Sequence, residues 1–196
     1  MSSLQTAIDI FRTLQKYSHD TARKGYIEVF NRDWSRSNAV GVDKYAAATK
    51  TMNTHIHVME GFTNLYFAWP YPEVKAAILE LLAIMQTHLY DSGTKHLILY
   101  CDDDWKMLGT ENSYGHDIET SWLLCESAEA VGDEALIAKI RRQCEAFRSA
   151  LVQYRKQLDR QSSETPYGVP CSPSIWGGGS SHYIFLVLAA KDLLER

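Results

Sequence analysis

The chain has 196 residues, a formal net charge of −4, 45% hydrophobic residues and 22% charged ones. This is an ordinary globular composition, enough to bury a sizeable core in one domain. It gives no basic footprint for nucleic acid and no apolar run of the roughly 18 residues that a membrane span needs. The N-terminus lacks a signal-peptide pattern. Cys101, Cys125, Cys144 and Cys171 are widely spaced, which fits a reducing cytoplasm better than a zinc ribbon or a disulfide framework.

Ser2 or Ser3 can cap a first helix reaching about Tyr17, with Leu4, Ala7, Ile8, Phe11 and Leu14 at helical spacing and Ser18-His-Asp20 at its close. From Gly25 to Trp34, Tyr26, Val29 and Phe30 alternate with polar residues, as in a short strand or hairpin arm. The stretch to Lys50 is irregular, with Tyr45-Ala-Ala-Ala48 as an early start for the next helix.

The second helix, Asn53 to Trp69, is the most informative. At about 100° per residue, Asn53, His57, Glu60 and Asn64 fall within roughly 60° of one another. Met52, His55, Met59, Phe62, Tyr66 and Trp69 fall opposite. A stripe of amides, imidazole and carboxylate suits a polyhydroxylated ligand better than bulk water does, whereas His55, on the apolar side, reads as a core residue. Pro70 and Pro72 end this helix and start a third, Glu73 to about Leu89, with Val74, Ile78, Leu81, Leu82 and Met85 as its apolar face. Asp91-Ser-Gly93 is a turn and Leu97 to Tyr100 a short apolar strand. Asp102, Asp103 and Asp104 lack the alternating spacing and central glycine of a calcium loop, so they read as a solvated turn and no metal is expected.

The stretch Ser113-Tyr-Gly-His116-Asp-Ile-Glu119 opens a fourth helix, Gly115 to Val131. Ser113 and Gly115 supply cap chemistry, and Asp117 and Glu119 suit the positive end of a helix. His116 and Glu119, three apart, share a face; they are either a proton-transfer pair or an incidental imidazole on a capped helix. Ile118, Trp122 and Cys125 are expected to pack, with His116, Glu119 and Leu123 on the other side. Gly132-Asp-Glu links to a fifth helix, Glu134 to about Leu158. Short links between helices imply antiparallel neighbours.

These residues carry a resemblance. Met52-Asn-Thr-His-Ile-His-Val-Met-Glu60 with Thr63-Asn-Leu-Tyr66, then Ser113 to Glu119 and Ser121-Trp-Leu-Leu-Cys-Glu126, are similar to the cellobiose 2-epimerase branch of the N-acylglucosamine 2-epimerase family. Gly25 to Trp34 matches as well, and the likeness runs from about Leu4 to Phe147. It implies an all-α fold of stacked helical hairpins, of the kind that closes an (α/α)6 barrel around a sugar. Only about six helices are counted here, counting a last one from Ser181 to Leu194, so a shortened or composite barrel with strand-like arms is expected. The chain then reads as one barrel-like domain, with 1–148 epimerase-like and 149–196 divergent. Such a partial barrel is expected to self-associate through its open apolar faces.

The resemblance also implies a reaction: 2-epimerisation of a reducing-end aldose, in a mono- or disaccharide, through a cis-enediolate, with no redox cofactor or metal. Two bases on opposite faces are needed, because one base returning its own proton restores the starting sugar. By residue match His116 is one base, Glu119 tunes or positions it, and Asn53, His57 and Glu60 line the substrate site. The Lys-Glu-Trp-Trp and Pro-Tyr-His-Asn motifs of full-length relatives, the latter with the second histidine, are absent, which leaves His182 as a substitute. The segment Thr165 to Gly179 is similar instead to a late loop of six-hairpin glycosidases, with Trp176 either a sugar platform or part of a plain connector. The alternative function is a non-catalytic or hydrolytic sugar-binding relative, for which a carboxylate pair would be required.

Overall fold

Local sequence signals start and stop each helix. The computed structural model describes residues 2–37, 45 and 47–164. Helix α1 (Ser3–Tyr17) begins where the Ser2 hydroxyl accepts from the Gln5 amide. Helix α2 (Met52–Ala68) begins where Thr51 Oγ1 accepts from Thr54 N, so the early start at Tyr45 is not used. Pro72, whose missing N–H costs nothing in a first turn, opens α3 (Pro72–Thr87). Helix α4 (Tyr114–Val131) stops at Gly132, which takes the left-handed conformation (φ 72°) that lacks a steric penalty only for glycine. Asp133 at once caps α5 (Glu134–Glu164), accepting from Leu136 N. The expected final helix with His182, and Trp176 in the segment before it, lie outside the described residues.

Helix α2 runs between α1 and α4, and α3 packs against both α2 and α4. Met52 of α2 meets Thr120 of α4, and eleven residues on Thr63 meets Ser127. Both contacts advance in the same direction along the chain, so α2 and α4 run parallel. Ile56, Met59 and Phe62 of α2, Ile78, Leu81, Leu82 and Met85 of α3 and Leu123, Leu124 and Ala128 of α4 are buried in one core. Five helices are described, mostly as neighbouring hairpins, and they form part of a ring; among the described residues no barrel closes.

The apolar strand expected over Leu97 to Tyr100 divides instead into two arms. Strand β2 (Tyr90–Asp91) pairs antiparallel with β3 (His96–Leu97), while β1 (Lys50–Thr51) pairs antiparallel with β4 (Tyr100–Cys101). The backbone changes partner between Leu97 and Tyr100, so one end anchors to the α3 exit and the other to the α2 entrance. The segment Gly25 to Trp34 makes isolated bridges, His19 to Tyr26 and Phe30 to Arg36, rather than a ladder.

The Asp102–Asp104 run is more than a solvated turn. Asp102 Oδ1 accepts from the Asp104 and Lys106 amides, Asp103 takes Thr49 Oγ1 and Arg36, and Asp104 takes Arg23. Lys50 lies fully buried beneath it, with Nζ 3.1 Å from Asp20 Oδ2, 2.9 Å from Asp103 O and 4.6 Å from the Trp105 ring. A buried ammonium is tolerated only with such compensation. The run therefore clamps the segments around Arg23 and Arg36 to the start of α2. Among the described residues no group of three metal-ligating side chains gathers, and no helix is long and apolar enough to cross a membrane.

Candidate active site

On α2 the periodicity argument holds residue by residue. Asn53, His57 and Asn64 are exposed, Glu60 is half-buried, and the opposite face carries the core. His57 Nδ1 lies 3.1 Å from Glu60 Oε2, and Asn64 Nδ2 donates to the Glu60 carbonyl, so the stripe is linked along its length. His55 is fully buried, as expected. Its Nδ1–H donates to Thr51 O (2.6 Å), and its Nε2 accepts from the Tyr26 amide (3.0 Å). Burial pushes this imidazole down to about 4, despite the opposing Thr51 carbonyl, so it is a neutral strut at physiological pH. Gly25 explains the close approach: a Cβ there would come 2.7 Å from His55 Nε2 and 2.6 Å from the Trp105 ring.

On α4 the packing face differs from expectation. Leu123, assigned to the site side, is buried, and Trp122, assigned to the core, is 45% exposed. Buried instead are Asp117, Thr120, Leu124, Ser127, Ala128 and Val131. The reason is chemical. Small hydroxyl residues let α2 and α4 approach closely and satisfy each other, as Thr63 and Ser127 do at 2.8 Å. A pattern search that scores only apolar side chains misses such a seam.

His116 and Glu119 flank this seam, both half-buried. Ser113 occupies the N-cap position yet makes no side-chain cap bond. Its hydroxyl instead lies 2.7 Å from His116 Nδ1. The hydrogen bond that holds His116 is thus Ser113's, while Glu119 sits one turn further on. The α2–α4 seam passes through Met52 and Thr120, the sequence neighbours of Asn53 and Glu119, while His57 and Glu60 lie further along α2. Further along the two helices, burial raises the Glu126 carboxyl of α4 above its ordinary value, helped by the charges of Glu60 on α2 and of Glu129.

What fixes the start of α4 was not legible in the sequence. Asp117, expected to serve the helix dipole at the surface, is buried. Its Oδ2 accepts from His96 Nδ1 at 2.6 Å and its Oδ1 from Leu97 N at 3.0 Å, and Asp117 N donates back to Ser113 O. Burial raises this carboxyl above its ordinary value, although His96 and the Leu97 amide pull the other way. The arm β3 is thereby tied to the turn that carries His116. Asp117→Ala strands two buried donors and is expected to destabilise the fold by about 2–4 kcal/mol. Chemical denaturation measures this, and an unchanged midpoint would mean that water replaces the carboxylate.

Several known proteins resemble the chain. A cellobiose 2-epimerase of Bacteroides fragilis is 38% identical over 139 residues, covering 70% of this chain and 36% of that protein. One from Dictyoglomus turgidum is 30% identical over the same length, covering 70% and 35%. Among solved structures, a sugar epimerase from a ruminal bacterium superposes with a TM-score of 0.71 at 28% identity, covering 76% of this chain and 38% of that one. The cellobiose 2-epimerase of Spirochaeta thermophila gives 0.68 at 32% identity, covering 83% and 40%. No family model matches the chain. The chain spans little more than a third of the length of the curated relatives it matches. Over that span the sequence and the fold agree, and the chain is homologous to part of the cellobiose 2-epimerases.

Proposed function

We propose that this chain handles the reducing end of an aldose of the glucose or mannose type, such as cellobiose, and moves the C2 proton with His116. The observation that carries the reading is a histidine held by Nδ1 at the entrance of α4, a helix packed parallel to α2, which carries the linked polar stripe of Asn53, His57 and Glu60. Its homologues' reaction, as their name gives it, is the same 2-epimerisation.

In this reading the ring-opened sugar presents its C1 carbonyl and C2–H. Asn53 and His57 hold the hydroxyls and the carbonyl oxygen, where charge develops as the enediolate forms. His116 takes the C2 proton through Nε2 and becomes an imidazolium, which Glu119 stabilises from the next turn. Glu60 orients His57 through the 3.1 Å contact to Nδ1. Return of the proton to the same face regenerates the substrate; delivery to the other face gives the epimer and needs a second acid. His182 is the proposed candidate for it, and a second copy of the chain is the other source.

Proton NMR of cellobiose, mannose and glucose with the protein in D2O tests this. Deuterium at C2 is expected, catalysed in proportion to protein. Epimer formed at first order in protein points to a second base within the chain, and a steeper concentration dependence points to a homo-oligomer. No exchange at C2 with any of these sugars would overturn the reading.

A further inference from the structure

Four histidines in the described part of the chain are held through Nδ1, the exposed His57 by Glu60 and the other three, all buried or half-buried, by partners of different chemistry. His96 has a buried carboxylate, His55 a backbone carbonyl, and His116 a hydroxyl. A carboxylate or carbonyl can only accept, so Nδ1 there must carry the proton. A hydroxyl can do either, and its role at His116 has to come from its surroundings.

Ser113 is the N-cap residue of α4 by position and backbone (φ −127°, ψ 95°), but its side chain caps nothing. Its lone pairs are not spent on the helix amides, as those of Ser2 and Thr51 are on α1 and α2. Its backbone is nonetheless fixed, because Ser113 O accepts from Asp117 N and Asp117 is tied to His96 and Leu97. The Ser113 hydroxyl therefore stands on a fixed backbone, 2.7 Å from Nδ1 of the imidazole.

We propose that Ser113 is a positioning residue for His116: its hydroxyl accepts Nδ1–H, which leaves the Nε2 lone pair as the site that takes the proton from substrate. The inference rests on the reading of His116 as the acid/base group. During turnover Nδ1–H stays on Ser113 in both forms of the ring. Nε2 gains the C2 proton, forming N–H as C–H breaks, and later returns it to carbon, so the ring never has to turn over. A neutral partner sets the tautomer without placing a negative charge beside the ring, as a carboxylate at the same place would.

The test reads the hydrogen bond and the reaction separately. Two-bond 1H–15N spectra of the full chain, at a pH where imidazoles are neutral, report which ring nitrogen of His116 is protonated; the signals are assigned by their loss in His116→Gln. The wild type is expected to carry the proton on Nδ1, Ser113→Ala to shift toward the Nε2–H form that a free imidazole prefers, and Ser113→Thr to restore the original pattern. In the D2O assay Ser113→Ala is expected to lower C2 exchange about ten- to a hundredfold with KM unchanged, and threonine to regain most of it. Because the hydroxyl caps nothing, the alanine variant should keep the helical circular dichroism of the wild type. Nε2–H in the wild type, or the same tautomer in wild type and Ser113→Ala, would overturn the proposal whatever the exchange rates. A tautomer that follows Ser113 with no C2 exchange in the wild type would instead leave the hydrogen bond standing and remove the epimerase reading.

Discussion

His116→Gln is expected to lower C2 proton exchange by about a hundred- to ten-thousandfold, the usual contribution of a positioned general base. The amide keeps the size of the imidazole and can still donate to Ser113 but cannot accept a carbon-bound proton near neutral pH. His116 is half-buried at the first turn of α4 and takes no part in the core, so the fold is expected to persist. The comparison with His57→Gln is informative. His57 is proposed to bind substrate rather than carry its proton, so its replacement should raise KM more than it lowers kcat. Equal exchange by wild type and His116→Gln, at matched folding, would show that the proton moves elsewhere.

Stability is expected to fall between about pH 6.5 and pH 4 because of His55. Its folded pKa is about 4, depressed by burial from an ordinary value of 6.5. A depressed folded pKa means that the unfolded chain binds a proton that the folded chain refuses. The stabilisation is therefore complete above the unfolded value, is lost as the pH falls through 6.5 toward 4, and levels off below the folded value. The span corresponds to about 3 kcal/mol, a large fraction of a small domain's margin. The cost has an evident cause, since a proton on Nε2 would remove the acceptor for the Tyr26 amide inside a cage of Tyr26, Trp105 and Gly25. Urea denaturation of wild type and His55→Gln across this range isolates the histidine, and the variant should show the shallower slope. If the variant does not fold, NMR titration of the wild type still decides: a His55 ring that titrates near pH 6.5 would contradict the buried, neutral strut.

The relatives are nearly three times longer than the span they share with this chain, and a proton relay across both faces of a sugar uses groups from opposite sides of a site. His116 and the α2 stripe lie on neighbouring parallel helices, and the proposal assigns them to one side of the sugar. In the proposed reading His116 exchanges the proton on one face of the sugar, and epimerisation needs a second group on the other face.

Where one helix repeat sufficed, the sequence was an adequate guide. Four α2 polar residues spaced by three and four must share a face because the helix turns by about 100° per residue, and Asn53, His57, Glu60 and Asn64 do so. Ser2, Pro72 and Gly132 mark helix ends through local backbone chemistry that no distant residue alters. The pairing of His116 with Glu119 on one flank follows from the same repeat. Tertiary structure decided what depends on the path of the chain between elements. His96 and Asp117 are 21 residues apart, Lys50 and Asp103 53, and Thr63 and Ser127 64; no periodicity links them. It also reversed Trp122 and Leu123, because a seam of small hydroxyl residues buries one side of α4 and leaves the indole outside. Even Ser113, correctly placed as the cap by its type, turned its oxygen to His116, because a hydroxyl follows the acceptor and donor geometry around it and not its position in a motif.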